Sequence, residues 1–117
     1  MPIKTRRWND PGDDDDGFRI LVCRYRPRGL PKTHETWDAW EPDLGPSRQL
    51  HARYYHEGLA WPEYRRAYLD EMRARGAELA AVRERLAAGE TVTLLCSSAC
   101  TDPERCHRTL LAALLLE

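Results

Sequence analysis

The sequence predicts an α/β fold: a single small domain over residues 1–117, with a short, mainly parallel sheet flanked by helices. Three segments rich in apolar and β-branched residues predict strands over 3–8, 18–25 and 91–96. More than sixty residues with largely helical spacing separate the second strand from the third. That distance indicates a crossover connection, and a crossover places the two strands parallel.

The middle strand, residues 18–25, is apolar on both faces, as is typical of a central strand in a covered sheet. Residues 9–17 before it are rich in Asp, Pro and Gly. They predict a solvated loop and not a calcium site, because the alternating ligands and closing Glu of an EF-hand are missing. Residues 37–44 after it predict a short helical or irregular stretch.

Three helices are predicted. Ser47 is a plausible N-cap for a helix that continues to about residue 56. The longest helix opens at Pro62 and continues to about residue 88, with Gly76 expected to kink it or divide it in two. The last helix covers 103–116, because Asp-Pro-Glu is a favourable helix start.

Charge and hydropathy exclude several classes of protein. The chain has 18 basic and 19 acidic residues, a net charge of -1, which argues against a uniformly basic nucleic-acid binder. No apolar run is long enough for a membrane helix, and no signal peptide is evident, so we expect a cytoplasmic protein without a membrane partner. The excess of arginine over lysine is compatible with anion binding and equally with a GC-rich genome. Nothing indicates the oligomeric state.

An anion site is predicted where the carboxyl ends of the parallel strands meet, because ligands of open α/β sheets bind there. Residues 24–29 and 96–108 should line one crevice at that edge. The predicted anion ligands are the cations of these segments and their neighbour, namely Arg24, Arg28, Lys32 and Arg108. The alternative is a cluster of surface ion pairs.

The four cysteines of a cytosolic chain are more often free thiols than disulfides. Cys106 lies near a predicted helix N-terminus, where the dipole favours a thiolate, so we predict Cys106, Cys96 and His107 as catalytic residues. The alternative is that Cys106 packs as a small buried hydrophobe. Zinc would accept Cys96, Cys100, Cys106 and His107. However, two adjacent helical residues diverge by about 100°, so no metal and no other cofactor is predicted.

Several blocks of the sequence resemble the domain-of-unknown-function 488 family (YeaO-like). They are Asp16-Gly17-Phe18-Arg19-Ile20-Leu21-Val22, Arg24, Pro27-Arg28-Gly29, Lys32, Trp37, Gly45-Pro46-Ser47-Arg48, Glu63-Tyr64-Arg65-Arg66-Ala67-Tyr68 and Val92-Thr93-Leu94-Leu95. The Cys106-His107-Arg108 ending is similar to that of the wider family, whereas Cys23 and Arg26 depart from the usual YeaO-like pattern. The resemblance implies a small cytosolic bacterial-type α/β protein and no particular activity.

Two functions follow from these features. The first is an enzyme-like site in which a thiol reacts with an anionic small molecule. The second is a non-enzymatic module that binds a nucleotide or nucleic acid through Arg24, Arg28 and Lys32, with bases stacked on Trp37 or Trp40. A cysteine-based redox or metal sensor is a third possibility. The enzyme requires an accessible, acidic thiol, and the binding module does not.

Overall fold

The computed structural model describes residues 3–117, so Met1 and Pro2, part of the segment considered for a signal peptide, lie outside it. A four-stranded sheet forms the centre of the fold, in the order β1-β4-β2-β3, and every neighbouring pair is parallel. The strands are β1 (Ile3–Arg7), β2 (Phe18–Leu21), β3 (Ala39–Trp40) and β4 (Val92–Cys96). The predicted α/β class and the parallel crossover are confirmed.

The second strand is shorter than the predicted 18–25. Val22 still donates its amide to Leu95 O at 3.0 Å, but its own carbonyl accepts from His107 Nε2 at 2.6 Å, and the following carbonyl, Cys23 O, accepts from the indole of Trp40 at 2.8 Å. Side chains thus replace the sheet ladder at this point. Gly45 packs so closely here that a Cβ would stand 2.5 Å from Arg24 N. The chain therefore leaves the sheet and carries Cys23 and Arg24 above its carboxyl edge.

The edge strand β3 was not predicted, because residues 37–44 lack a strand pattern. Tertiary hydrogen bonds create it: Asp38 donates its amide to Arg19 O at 2.8 Å, and Glu41 donates to Leu21 O at 2.9 Å. Residues 37–44 were predicted to form a short helical or irregular stretch, and a 3-10 turn over Pro42–Leu44 is its helical part. A strand of two residues has too little sequence to carry a periodic signal.

Four α-helices cover the sheet: α1 (Arg48–His56), α2 (Trp61–Arg73), α3 (Gly76–Ala87) and α4 (His107–Leu115). Ser47 caps α1 as predicted, its hydroxyl accepting from Leu50 N at 3.1 Å. The long predicted helix divides into α2 and α3 before Gly76. The last helix begins later than predicted, because Pro103–Arg105 forms a 3-10 turn and Cys106 is extended, with φ -133° and ψ 140°.

Most of the aspartate-rich loop is exposed, as the sequence predicts, but Asp16 departs from that prediction. Asp16 is buried, and its carboxylate lies 3.3 Å from both Lys4 Nζ and Arg6 Nε. Burial raises the pKa of Asp16, but the Asp13 amide and the Lys4 and Arg6 cations outweigh it and lower the pKa overall. The loop is therefore fastened to β1 by ion pairs that the sequence did not reveal.

Buried side chains form two clusters. The larger contains Tyr64, Tyr68 and Met72 of α2 together with residues from the sheet and α4. The smaller contains Leu21, Leu95 and three cysteines, Cys23, Cys96 and Cys106. Within residues 3–117 no helix combines the length and the apolar character needed to cross a bilayer. The cytoplasmic location stays a prediction.

Candidate functional site

A cavity of about 480 Å³ opens beyond the carboxyl ends of β2 and β4. Residues 23–28 form one part of its wall and residues 96–100 another. His107, at the start of α4, also lines it. The structure thus brings together most of the predicted segment 24–29 with residues 96–100 and His107 of the predicted segment 96–108, whereas residues 101–106 and Arg108 do not line the cavity. Three side chains of α1 complete the wall, namely His51, Tyr55 and His56.

Three cysteines meet at the floor of this region, and we call them the sulfur trio: Cys96, Cys100 and Cys106. Cys96 ends β4, Cys100 lies in the following loop, and Cys106 directly precedes α4. The Cys106 thiol donates to Cys96 Sγ at 3.2 Å, and Cys96 in turn donates to Cys100 Sγ at 3.2 Å. All three sulfur atoms lie within 4.8 Å of one another. Cys23 Sγ lies 3.8 Å from Cys96 on another side.

Solvent reaches one member of the sulfur trio far more easily than the others. Cys96 and Cys106 are 0% and 1% exposed, whereas Cys100 is half-buried and lines the cavity. Hydrogen bonding from Cys106 and Cys96 lowers the pKa of Cys100, and the same interactions with Cys100 raise the pKa of Cys106. Solvent accessibility and the direction of the pKa shift therefore both favour Cys100 as the nucleophile over Cys106, which the sequence predicts.

His107 is a buried imidazole whose tautomer is fixed by the backbone. Its Nε2 lies 2.6 Å from Val22 O. Because a carbonyl only accepts, Nε2 carries the proton and Nδ1 keeps its lone pair. Nδ1 lies 3.9 Å from Cys96 Sγ. Burial lowers the pKa of His107, so the ring is neutral near pH 7.

The predicted anion ligands differ in their placement. Arg24 and Arg28 line the cavity, but Arg24 is engaged by Asp43 at 3.1 Å and by Pro46 O at 2.9 Å. Arg28 is exposed, and no ion pair holds it within residues 3–117. Lys32 lies exposed on a 3-10 turn outside the cavity lining. Arg108 is buried on α4 and does not line the cavity either.

Sequence reasoning missed the aromatic wall contributed by α1. His51 and Tyr55 lie one turn apart with ring centroids 4.6 Å apart, and Tyr25 packs edge-on against His51 at 5.0 Å. The Tyr55 hydroxyl lies 3.9 Å from Cys100 Sγ. Burial, and then the nearby charge of His56, lowers the pKa of His51. The i, i+4 spacing of two polar aromatic residues on one short helix was the available signal.

The two tryptophans proposed as stacking platforms have structural contacts. Arg26 lies over the Trp37 ring at 5.7 Å and pairs with Glu35 at 2.7 Å. Trp40 holds the Cys23 carbonyl through its indole N–H. Neither ring lines the cavity.

Comparison with known proteins gives a family match over the described chain. The model of a family described as the active DUF488-N3 subclade matches residues 3–117. The uncharacterized protein YeaO of Escherichia coli K12 is 38% identical over 72 residues, which are 62% of this chain and 63% of YeaO. The chain thus spans less than two thirds of that relative.

Two mycobacterial relatives are similar over most of their length. The uncharacterized protein Rv3073c of Mycobacterium tuberculosis H37Rv is 32% identical over 113 residues, which are 97% of this chain and 92% of the relative. The uncharacterized protein Mb3100c of Mycobacterium bovis matches to the same extent. No solved structure matches.

Proposed function

We propose a thiol-dependent activity for this chain, which belongs to the DUF488-N3 subclade: the cavity binds an anionic small molecule, and Cys100 attacks it. The observation that carries this proposal is the position of Cys100. It is the accessible member of the sulfur trio, it accepts a hydrogen bond from Cys96, and it lines the cavity that Arg28 also lines.

The surroundings of Cys100 favour a thiolate. Thiol donors stabilise a neighbouring sulfur anion as hydrogen-bond donors stabilise other anions. The thiolate is the reactive form of cysteine, so the arrangement supplies a nucleophile without a separate base.

Arg28 is the residue best suited to hold the substrate. Its guanidinium has no internal ion pair within residues 3–117, so it is available for a carboxylate or a phosphate group. In the reaction, Cys100 Sγ forms a bond to an electrophilic atom of the anion. The leaving group departs with the electron pair of the bond that breaks. Arg24 is given no contact with the substrate, because Asp43 already pairs with it.

The alternative, nucleotide or nucleic-acid binding without chemistry, would use the same arginines. The predicted stacking residues, Trp37 and Trp40, are committed to other contacts outside the cavity, so bases would have to stack on the aromatic wall of α1 instead. We therefore favour the thiol-dependent activity.

The test compares two alkylating reagents of similar size, the anion iodoacetate and the neutral iodoacetamide. In each reaction a carbon–sulfur bond forms and iodide leaves. We expect the ratio of the iodoacetate rate to the iodoacetamide rate to be higher for Cys100 of the reduced, chelator-treated protein than for free cysteine. Arg28→Gln should lower the iodoacetate rate about tenfold, because a charge-assisted contact is worth about 1.5–3 kcal/mol, and should leave the iodoacetamide rate unchanged.

Arg53→Gln is the matched control, because Arg53 is an exposed cation on α1 that does not line the cavity. It should change neither rate. If Cys100 reacts no faster than free cysteine with both reagents, the thiol-dependent activity is wrong. Nucleotide binding that survives Cys100→Ser and fails in Arg28→Gln would instead establish the binding module.

A further inference from the structure

We propose that the sulfur trio, Cys96, Cys100 and Cys106, binds a thiophilic divalent metal ion of the zinc class. This site goes beyond the thiol-dependent activity and does not rest on it. Each ligand comes from a separate piece of the chain: the end of β4, the loop after it, and the residue before α4. The three sulfur atoms therefore meet only in the folded protein.

The distances suit a single ion. A zinc–sulfur bond of about 2.3 Å places two tetrahedral thiolates about 3.8 Å apart. In the structure the two closest sulfur pairs are separated by 3.2 Å, and no pair exceeds 4.8 Å. The required separation falls inside this interval, so small rotations of the side chains would open the trio around an ion.

The backbone at Cys106 differs from the helical one on which the sequence-based objection rested. Cys106 and His107 were expected to diverge because both were predicted to be helical. Cys106 is instead extended, with φ -133° and ψ 140°, and α4 begins only at His107. As a result, Cys106 Sγ lies 3.2 Å and His107 Nδ1 lies 3.9 Å from the same Cys96 sulfur.

A fourth donor is available beside the trio. His107 donates Nε2–H to the Val22 carbonyl, so Nδ1 keeps its lone pair. Nδ1 and Nε2 lie 3.9 and 4.0 Å from Cys96 Sγ, so the ring adjoins Cys96 without aiming Nδ1 at it, and His107 forms a close set with Cys96 and Cys23. Metal-bound histidines characteristically donate their other ring N–H to a carbonyl or carboxylate. The backbone thus already fixes the tautomer that metal binding requires.

The chemistry of the donors selects the metal class. Sulfur and imidazole ligands favour zinc and related soft ions over magnesium and calcium, which prefer oxygen. No Asp or Glu lines the cavity within the described chain. Metal binding would also occupy Cys100 and so prevent its alkylation, linking the metal to the reactivity of the thiol.

The experiment measures zinc affinity of the reduced full-length protein by competition with a chromophoric chelator, and reads the ligands from the spectrum of bound cobalt(II). We expect one ion per chain and thiolate-to-cobalt charge-transfer absorption. Cys100→Ser should weaken zinc binding on the order of 100-fold or more, since even a supporting hydrogen bond to a metal ligand contributes about 10–100-fold. Cys100 is half-buried, so this variant should fold.

Cys23→Ser is the matched comparison, because Cys23 is also buried against Cys96 and forms a rival set of ligand atoms with Cys96 and His107, but is not part of the trio. It should keep zinc affinity within a few-fold of the parent. The metal site is refuted if cobalt gives no charge-transfer absorption, or if Cys23→Ser and Cys100→Ser weaken zinc binding equally. Because alkylation is measured with a chelator present, this failure is distinguishable from failure of the thiol-dependent activity.

Discussion

Within residues 3–117, three sets of metal-ligand side chains each lie within 4.8 Å of one another. One set, Cys23, Cys96 and His107, shares Cys96 with the sulfur trio; the other two sets differ in what surrounds them. One is the acidic cluster, made of Asp13, Asp15 and Asp16; the other is the sulfur trio. The acidic cluster receives its counter-charges from the chain itself, because Lys4 pairs with Asp15 and Asp16 and Arg6 pairs with Asp13 and Asp16. Two members of the sulfur trio, Cys96 and Cys100, line a cavity. The imidazole of His107, which adjoins Cys96, is neutral.

The difference separates structural clusters from functional ones. Charges that are neutralised within the fold hold β1 against the loop and have little field left for a ligand. In the sulfur trio, the accessible Cys100 lines a cavity and keeps a lone pair for a ligand, and Arg28 at the same cavity keeps its charge available. A set of ligand-type residues therefore indicates a site only where the chain itself has not neutralised it.

Asp16→Asn should greatly destabilise the fold. The substitution removes the buried charge that Lys4 and Arg6 share, but Lys4 keeps Asp15 and Arg6 keeps Asp13, so the expected loss is that of a hydrogen bond to a charged group, about 1.5–3 kcal/mol. The free energy of unfolding in urea measures the loss. The matched control is Asp14→Asn, since Asp14 is exposed and should change stability by less than about 0.5 kcal/mol.

Acid should remove the contribution of Asp16. Its pKa is lowered in the folded protein, so its stabilisation is fully present above the unfolded pKa of about 3.9 and is lost as the pH falls through the folded value. The stability difference between the parent and Asp16→Asn should accordingly shrink below pH 4. A difference that stays constant from pH 7 to pH 3 would show that packing, not charge, is responsible.

Gly45→Ala should disturb the cavity side of the molecule. The new Cβ would stand 2.5 Å from Arg24 N and 2.9 Å from Cys23 C, so the backbone of the cavity wall must shift. Overpacking of this kind costs about 1–3 kcal/mol. Thermal unfolding measures it, and Gly76→Ala is the control, because a Cβ there has open space and should not destabilise α3. Equal melting temperatures for the two variants would contradict the close approach.

Cys106→Ala should act on the reactivity of Cys100 more than on the fold. Removing the Cys106 thiol takes away a hydrogen-bond donor of the sulfur trio and raises the pKa of Cys100. A shift of about one pKa unit corresponds to about 1.4 kcal/mol, so alkylation of Cys100 at low pH should slow about tenfold. Cys23→Ala should leave the alkylation rate of Cys100 unchanged. If Cys23→Ala slows that rate as much as Cys106→Ala does, general packing and not the Cys106 hydrogen bond controls the reactivity of Cys100.

Much of the fold was readable from the sequence because its signals are local. The parallel pairing of β2 with β4 followed from two apolar segments and a long helical crossover, and the Ser47 cap followed from residue type. Strand β3 and the burial of Asp16 were not readable. Both depend on partners distant in sequence, the carbonyls of β2 in one case and the cations of β1 in the other.

The candidate site divides in the same way. Strand direction was sufficient to place residues 24–28 and 96–100 at one cavity. The choice between Cys106 and Cys100 required the backbone of Cys106, whose extended conformation directs its sulfur toward Cys96 and out of solvent. Arg24 and Arg28 look equivalent in sequence, yet in the structure Asp43 pairs with Arg24 and not with Arg28.

The most direct measurement follows the alkylation of all four cysteines in one reduced, chelator-treated sample, resolved by mass spectrometry at pH 6 and pH 8. Cys100 should react first at both pH values, and its rate should fall far less on acidification than that of free cysteine, which loses about tenfold per pH unit below a pKa of about 8.5. Cys96 and Cys106 should stay unmodified in the folded protein. Modification of Cys106 before Cys100, or a Cys100 rate that falls with pH as free cysteine does, would contradict the assignment of Cys100 as the nucleophile.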